Sequence, residues 1–274
     1  MNSQYKNNST PKKFKMFIIS RIIKIIANLL KAFSYLFHFI FPNKRFTIPK
    51  HAPPLLKSNK KSIINKIVWQ TNFTNTVTLP IYLNYLFNRL MSYDYGYRFM
   101  TNEDRSEFIK SEYPDSIFNA YEKIQIGAAM ADLWRVLVLN KFGGVYMDID
   151  AHLIRTLNSI IDCNTSELYI VIKKNEISNY FIASMNDNPN LKKIIKQIVT
   201  NIDENKLDNV YTLTGPGVFN KTLDINCVNT IYYRYTCNQG NFTNEYFQYI
   251  DKPQGKWTKE QEKIDIIKKD TSLN

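Results

Sequence analysis

The arrangement of hydrophobic and polar positions separates an N-terminal helical segment from a longer body. Residues 16–41 are mostly apolar, and polar side chains interrupt them at a helical spacing. At 100° per residue these polar positions fall on one side of a helix. The members of this polar face are Ser20, Arg21, Lys24, Asn28, Lys31 and His38. The pattern predicts an amphipathic helix with a basic face and a broad apolar face.

The spacing of charges in this segment argues against a membrane span. Its longest charge-free run, 32–43, has only 12 residues, whereas a spanning helix needs about 20. We expect the helix to lie in the membrane interface with its apolar side in the acyl boundary. Lys12, Lys13 and Lys15 would add attraction to anionic lipid. A helix packed on its own domain and a tilted single-pass span with snorkelling lysines remain alternatives.

Beyond the helix, the pattern changes twice. Residues 42–61 contain four prolines without a clear period and predict a linker. From residue 62, apolar runs typical of strands alternate with segments of helical spacing. The predicted strands are 63–70, 96–100, 145–150, 168–174 and 180–184, and the predicted helices are 79–93, 103–112, 124–141 and 188–202. This alternation favours an α/β fold with a mostly parallel, Rossmann-like sheet flanked by helices. In such sheets ligands bind at the carboxyl ends of the strands.

The net charge of +12 is distributed unevenly. Residues 1–66 contain 14 basic residues and no acidic ones, which leaves 22 basic against 24 acidic residues in the rest. A nucleic-acid-binding protein would carry its basic surface on the folded body, so we expect no nucleic-acid partner. An anionic membrane surface fits the basic segment better. The three cysteines have no regular spacing and predict neither a disulfide framework nor a zinc site.

Polar residues converge at the end of one predicted strand. The helix at 128–142 is apolar almost all round except for Asp132 and Arg135, whose spacing puts them on one face. They could simply pair with each other, or both could point into a binding site. The helix leads through two glycines into the run Val145–Asp150, in which Asp148 and Asp150 share a side with Tyr146 if the strand stays extended.

An Asp-x-Asp pair at a strand end suits a divalent metal. Carboxylate oxygens are the ligands that Mn²⁺ and Mg²⁺ prefer, and these ions keep positions open for phosphate oxygens. Such an ion could neutralise the charge of a departing diphosphate. We therefore identify Asp148 and Asp150 as candidate metal ligands.

The run ADLWRVLVLNKFGGVYMDID resembles the core motif of the glycosyltransferase family 32 type, the Asp-x-Asp sugar transferases that include capsular and lipopolysaccharide enzymes. It is similar, more remotely, to the clostridial toxin glucosyltransferases. The resemblance is strong over about 119–155 and extends loosely from INKIVWQTN to GKW at 255–257. It implies a GT-A fold over 62–258, followed by a charged tail at 259–274. It also implies a retaining, metal-dependent hexosyltransferase that uses Mn²⁺ or Mg²⁺ and a nucleotide-sugar donor, with UDP-hexose favoured over GDP-mannose.

The resemblance also assigns roles to individual residues. Asp132 and Arg135 would bind hydroxyls of the donor sugar, and Asp148 and Asp150 would hold the metal, with Asp148 also contacting ribose. A second group would bind the rest of the donor or lie nearby. This group is Trp69 for stacking on the base, Tyr146 beside the nucleoside, Asn179 near the acceptor side, and Lys256 and Trp257 over the diphosphate. Thr214–Gly217 matches the family's Gly-Pro turn. The family's usual histidine before the C-terminal tryptophan is missing, because no histidine follows His152.

The acceptor implied is a surface glycan or a glycolipid at the cytoplasmic face of a membrane. The first alternative is a haloacid-dehalogenase-like phosphohydrolase, which also uses Asp-x-Asp after an apolar strand with the first aspartate as nucleophile. That pattern wants Thr or Val two residues after the second aspartate, where this chain has His152. The second alternative is a non-catalytic membrane-bound scaffold on a transferase fold, against which the complete set of four polar residues argues.

Overall fold

The computed structural model describes residues 10–252 and 254–268, in which helices and strands alternate. The helices are α1 (Thr10–Ile40), α2 (Leu79–Met91), α3 (Asn102–Glu112), α4 (Asp115–Lys123), α5 (Gly127–Phe142), α6 (Leu157–Ile160), α7 (Pro189–Glu204), α8 (Val210–Leu213), α9 (Pro216–Thr222), α10 (Glu245–Tyr249) and α11 (Trp257–Glu260). The strands are β1 (Phe46–Thr47), β2 (His51–Ala52), β3 (Ile67–Thr71), β4 (Thr76–Val77), β5 (Gly96–Met100), β6 (Gly144–Met147), β7 (Ala151–Leu153), β8 (Glu167–Val171), β9 (Ile177–Ser184), β10 (Thr230–Tyr232) and β11 (Cys237–Gln239).

The central sheet has seven strands in the order β10-β8-β9-β6-β3-β5-β2. Strands β3, β5 and β6 are parallel, and β8 and β10 run in the same direction because β9 is antiparallel to both β6 and β8. Only β9 and the edge strand β2 are reversed in this sheet. The predicted α/β architecture with a mostly parallel sheet and an N-terminal helix is therefore confirmed.

Alternation along the strands divides the core between the two faces of the sheet. On β6, Val145 and Met147 pack with residues of α2, β5 and β7 on one face. Tyr146 and Trp69 point to the other face, where they meet the buried helices α5 and α7. Helix α5 is apolar nearly all round because it lies between the sheet and the outer helices, and its residues Leu133–Leu139 are almost fully buried.

Two glycines make the turn from α5 into β6. Gly143 ends the helix with φ of 65°, and Gly144 has φ of 112°. A Cβ on Gly144 would lie 2.7 Å from the backbone oxygen of Ile67 and 2.9 Å from the indole nitrogen of Trp69. Both positive φ and close approach therefore require glycine here. The turn brings the polar face of α5 beside the end of β6.

Helix α3 begins with a capping box. Thr101 caps it, and its hydroxyl accepts a hydrogen bond from the backbone N–H of Asp104 while the Asp104 carboxylate accepts from the backbone N–H of Thr101. This reciprocal capping box fixes the start of the helix immediately after β5. The first turn of α3 is thereby held at the carboxyl end of the sheet.

The N-terminal helix packs on the body through a narrow stripe. Ile23, Ala27, Ser34 and His38 are buried, and the imidazole of His38 accepts a hydrogen bond from the backbone N–H of Leu79. Most apolar side chains of α1 remain exposed, among them Phe14, Ile18, Ile22, Ile25, Ile26, Leu29, Phe33, Leu36 and Phe39. No helix within 10–252 or 254–268 has the length and apolar character needed to cross a membrane.

The segments flanking the predicted body contribute to the fold. Within 42–61, predicted as a linker, β1 pairs with β4 and β2 pairs with β5, so two short strands lie where none was expected. Prolines on either side keep these strands short, which hides their period. In the predicted tail, Ile267 is buried and forms an isolated bridge with Ile124. The domain boundaries remain a proposal.

Candidate active site

A cavity of about 550 Å³ opens at the carboxyl ends of β3, β5 and β6. The reversed strand β9 contributes its amino end to the same edge, so Asn179 also faces the cavity. Segments far along the chain close the other side, including the stretch 239–249 and the start of α11. The cavity lies where ligands bind in sheets of this kind.

Asp132 and Arg135 pair on the cavity wall. The Arg135 guanidinium lies 2.9 Å from a carboxylate oxygen of Asp132, and both side chains are at least nine-tenths buried. Asp132 also accepts hydrogen bonds from the Asn179 amide at 2.9 Å and the Thr214 hydroxyl at 3.0 Å. The two interpretations left open by the sequence are thus compatible, since the residues pair and also face the cavity.

Arg135 connects this pair to the Asp-x-Asp motif. It donates a hydrogen bond to the backbone oxygen of Asn179 at 2.8 Å and lies 3.3 Å from a carboxylate oxygen of Asp148. Its guanidinium also stacks 4.4 Å from the ring centroid of Tyr146, whose hydroxyl donates to Asp148 at 2.6 Å. One arginine therefore holds two carboxylates and an aromatic ring in fixed positions.

The two motif aspartates lie in a turn, which corrects the extended strand predicted for 145–150. Strand β6 ends at Met147, and the backbone N–H of Ala151 donates to the carbonyl of Asp148 at 3.0 Å. The turn brings the carboxylates together, because a single nitrogen of Gln239 lies 2.8 Å from Asp148 and 3.2 Å from Asp150. Aspartate favours turns over strand interiors, which explains where the strand stops.

The Asp150 carboxylate is repelled by the negative charge of the neighbouring Asp148 carboxylate. Burial, followed by the negative charge of Asp148, raises the pKa of Asp150 to about 7. Burial likewise raises the pKa of Asp132, although Arg135 opposes the shift. A cation between Asp148 and Asp150 would relieve this repulsion, and the position of the Gln239 nitrogen marks a point within reach of both carboxylates.

These residues fit a divalent metal that shares its coordination with a substrate. Within the described part of the chain there is no cluster of three or more His, Cys, Asp or Glu side chains that could hold an ion alone. Two carboxylates together with phosphate oxygens are a common arrangement for Mg²⁺ and Mn²⁺. The donor set present thus suits a hard cation that binds together with a diphosphate.

The predicted base-stacking residue does not reach the cavity. Trp69 is 4% exposed and belongs to the core, where it stacks on Phe142 and donates its indole N–H to the backbone oxygen of Gly143 at 2.9 Å. Trp69 lies two residues before the end of β3, so its side chain packs in the core and does not extend past the end of the strand. Thr71, Asn72 and Phe73 come after it and do line the cavity.

The other predicted donor-binding residues do line the cavity. Tyr146 and Asn179 are buried and hold Asp148 and Asp132, respectively. Lys256 and Trp257 lie at the start of α11, and the Lys256 ammonium is 3.8 Å from Glu245. His152 does not line it. Its ring lies between Phe87 and Phe242, and burial lowers its pKa to about 4.

Comparison with known proteins bears on these residues directly. Residues 80–167 match the family described as "Glycosyltransferase sugar-binding region containing DXD motif". The matched stretch includes Asp132, Arg135, Asp148 and Asp150. This part of the chain is similar to a glycosyltransferase sugar-binding region. The resemblance noted in the sequence is therefore confirmed.

Three relatives resemble parts of the chain. The "Inositol phosphoceramide mannosyltransferase 3" of Schizosaccharomyces pombe is 32% identical over 104 residues, 38% of this chain and 29% of that protein. An uncharacterized glycosyltransferase of Acanthamoeba polyphaga mimivirus is 25% identical over 198 residues, 66% of this chain and 77% of that protein. A Saccharomyces cerevisiae protein named mannosyl phosphorylinositol ceramide synthase is 37% identical over 68 residues, 25% of this chain and 18% of that protein.

A solved structure is also similar to this chain. The "PaToxG Glycosyltransferase" superimposes with a TM-score of 0.46 and 18% identity, covering 77% of this chain and 79% of that one. The chain spans less than a third of the length of the two yeast relatives.

Three further residues at or beside the cavity, Gln239, Thr214 and Arg105, were not predicted as site residues. Gln239 follows the motif by about ninety residues and reaches it only because β11 pairs with β7, directly beyond the motif. Thr214 was noted for its turn rather than for its hydroxyl. Arg105 could have been found from spacing, since Phe108 and Ile109 put it on the buried stripe of α3.

Proposed function

We propose that the protein transfers a hexosyl group from a nucleotide-sugar donor to a glycan or glycolipid acceptor in a metal-dependent, retaining reaction. The observation that carries this proposal is the continuous network on the cavity wall, in which Arg135 joins Asp132 to Asp148. The match to a sugar-binding region over the same residues supports it.

The polar groups have distinct roles in this proposal. Asp148 and Asp150 would hold Mn²⁺ or Mg²⁺, which supplies positive charge against the leaving diphosphate. Asp132 and Arg135 bind hydroxyls of the donor sugar, because a paired carboxylate and guanidinium present both an acceptor and donors. Thr214, through its hydrogen bond, keeps Asp132 oriented.

The family resemblance and the names of the relatives bear on the identities of the donor and the acceptor. The family resemblance favours UDP-hexose, whereas the names of the two yeast relatives favour a mannosyl donor. The same names support an acceptor with an inositol-phosphate head group on a ceramide-type lipid. We therefore propose a membrane lipid as acceptor, with a surface glycan as the less supported alternative.

The N-terminal helix would hold the enzyme on the membrane. Its exposed apolar side chains together with exposed Arg21 and Lys24 suit the interface of an anionic membrane. We propose peripheral attachment through residues 16–41 at the cytoplasmic face. A site at that surface would meet lipid-linked acceptors without extracting them.

A panel of nucleotide-sugars tests the function. We expect the full chain to hydrolyse one or two of UDP-glucose, UDP-galactose and GDP-mannose slowly with Mn²⁺, and to transfer the sugar faster when inositol-containing lipid vesicles are added. Lys110→Gln removes a cation of α3 that does not line the cavity, and it should leave these rates unchanged. Absence of hydrolysis and transfer with every donor would reject the proposal.

A further inference from the structure

Arg105 is a buried cation on the wall of the cavity. It lies in the first turn of α3, is 2% exposed and lines the cavity beside Ala128, Ala131 and Tyr146. A terminal nitrogen of its guanidinium donates a hydrogen bond to the side-chain oxygen of Asn102. Its Nε is buried without a hydrogen-bond partner.

The other three cationic side chains of the cavity wall each have an acidic partner. Arg135 pairs with Asp132 and Asp148, Lys252 with Glu260, and Lys256 with Glu245. Among the residues that the structure describes, no carboxylate lies within ion-pair distance of Arg105.

The groups that face Arg105 do not balance its charge. The phenol of Tyr121, a further hydrogen-bond partner, and the phenol of Tyr146 face it, and the guanidinium of Arg135 adds a second positive charge nearby. An arginine cannot lose its charge by giving up a proton. A buried charge without a partner is unfavourable, so a chain keeps one where a bound molecule completes the pair.

We propose that Arg105 binds a phosphate oxygen of a substrate. This inference rests on the proposed function, whose reactants carry phosphate either in the donor diphosphate or in the head group of the lipid acceptor. A planar guanidinium can bind a phosphate through two parallel hydrogen bonds, and the Nε donor of Arg105 has no partner. A neutral sugar hydroxyl would leave the charge unbalanced.

Binding measurements on the full chain test this role without requiring turnover. Isothermal titration with inorganic pyrophosphate and with glycerophosphoinositol is made in EDTA, so that metal held by the aspartates does not contribute. We expect Arg105→Gln to weaken one probe at least tenfold and Lys110→Gln to leave both unchanged. Loss for pyrophosphate identifies the donor as the source of the phosphate, and loss for glycerophosphoinositol identifies the acceptor.

Thermal stability separates this role from a structural one. We expect Arg105→Met, which keeps the length of the side chain but not its charge, to melt no lower than the wild type and to lose the upward shift in Tm given by the probe. Arg105→Lys keeps the positive charge but loses the planar guanidinium, so it should retain part of the binding. Equal affinity of wild type and Arg105→Gln for both probes, or no binding of either by the wild type at millimolar concentration, would overturn the proposal.

These measurements distinguish a failure of the phosphate site from a failure of the proposed activity. If the wild type hydrolyses no nucleotide-sugar but binds a phosphate probe in an Arg105-dependent way, the proposed function fails and the phosphate site stands. If hydrolysis occurs and Arg105→Gln changes neither binding nor the KM for donor and acceptor, the phosphate site fails and the function stands.

Discussion

At the scale of single residues, the cavity is organised by side chains that hold one another before any substrate arrives. Arg135 contacts Asp132, Asp148 and Tyr146, and Asp132 receives two further hydrogen bonds. Each donor therefore restricts the rotamer of a group that would contact the substrate. Preorganised groups of this kind need little rearrangement during reaction.

Thr214 tests this organisation, because its hydroxyl is one of the donors to buried Asp132. Thr214→Val leaves a carboxylate oxygen without that partner. We expect the free energy of unfolding to fall by about 1–3 kcal/mol in urea denaturation and the donor-hydrolysis kcat to fall as well. Thr212→Val, which removes an exposed hydroxyl bonded to Asn209, should change neither. Unaltered stability and kcat in the first variant would contradict the role of Thr214.

The Trp69→Phe variant tests whether Trp69 packs in the core or stacks on the base of the donor. Trp69→Phe loses the hydrogen bond to the backbone oxygen of Gly143 and leaves a small void. We expect a loss of about 1–2 kcal/mol of unfolding free energy. The KM for the nucleotide-sugar should stay unchanged, because the indole does not line the cavity. A higher KM at unchanged stability would instead support base stacking.

The sequence predicted which residues line the cavity better than it predicted their contacts. Asp132, Arg135, Asp148 and Asp150 could be found because polar residues are conspicuous on an apolar helix and strand. The orientation of Trp69 could not, because whether an aromatic side chain lies above or below a sheet edge depends on where the strand ends. Gln239 could not, because it reaches the motif only through tertiary pairing.

At the scale of elements, the position of the site depends on turns that end strands and helices. Strand β6 ends at Met147, so Asp148 and Asp150 lie in the turn that follows it. Gly143 and Gly144 connect the end of α5 to the start of this strand. Long periodic elements such as α2, α7 and β5 were predicted within a few residues of their bounds. Strands of two or three residues were not, because such a length is too short for any period to show.

Gly144 tests the turn. Gly144→Ala places a Cβ 2.7 Å from the Ile67 oxygen at φ of 112°. We expect the unfolding free energy to fall by about 2–4 kcal/mol, since backbone strain and a steric clash add. Gly255→Ala is a matched control, because its φ is 71° and nothing lies within 4 Å of the added Cβ, so only strain should contribute. Equal losses in the two variants would show that the close approach is unimportant.

At the scale of the whole molecule, the N-terminal helix α1 and the cavity are neighbours. The Lys31 ammonium donates to the carbonyl of Gly240, Ser20 accepts from Asn238, and Tyr35 accepts from Asn244. These partners on the body belong to the stretch that carries Gln239 to the aspartates. A membrane bound to the apolar face of α1 would therefore lie near one wall of the cavity.

Vesicle binding tests the attachment. We expect the full chain to bind phosphatidylserine vesicles, to bind neutral vesicles less, and to dissociate as salt shortens the Debye length from about 10 Å to about 3 Å. Leu29→Glu or Phe33→Glu, on the exposed face of α1, should weaken binding at least tenfold. Ile264→Glu, an exposed apolar position outside α1, should not. Binding that only detergent reverses would favour a spanning helix instead.

The proposed function depends on metal-dependent use of a nucleotide-sugar, and a single hydrolysis assay measures this dependence. Hydrolysis of the preferred donor is measured with Mn²⁺, with EDTA, and in Asp150→Asn, which keeps the shape of the side chain but removes its charge. We expect EDTA and the substitution each to lower the rate by about 100-fold or more, because the carboxylate pair would lose the ion that neutralises the diphosphate. Hydrolysis that persists in EDTA and in Asp150→Asn would rule out a metal held by Asp148 and Asp150.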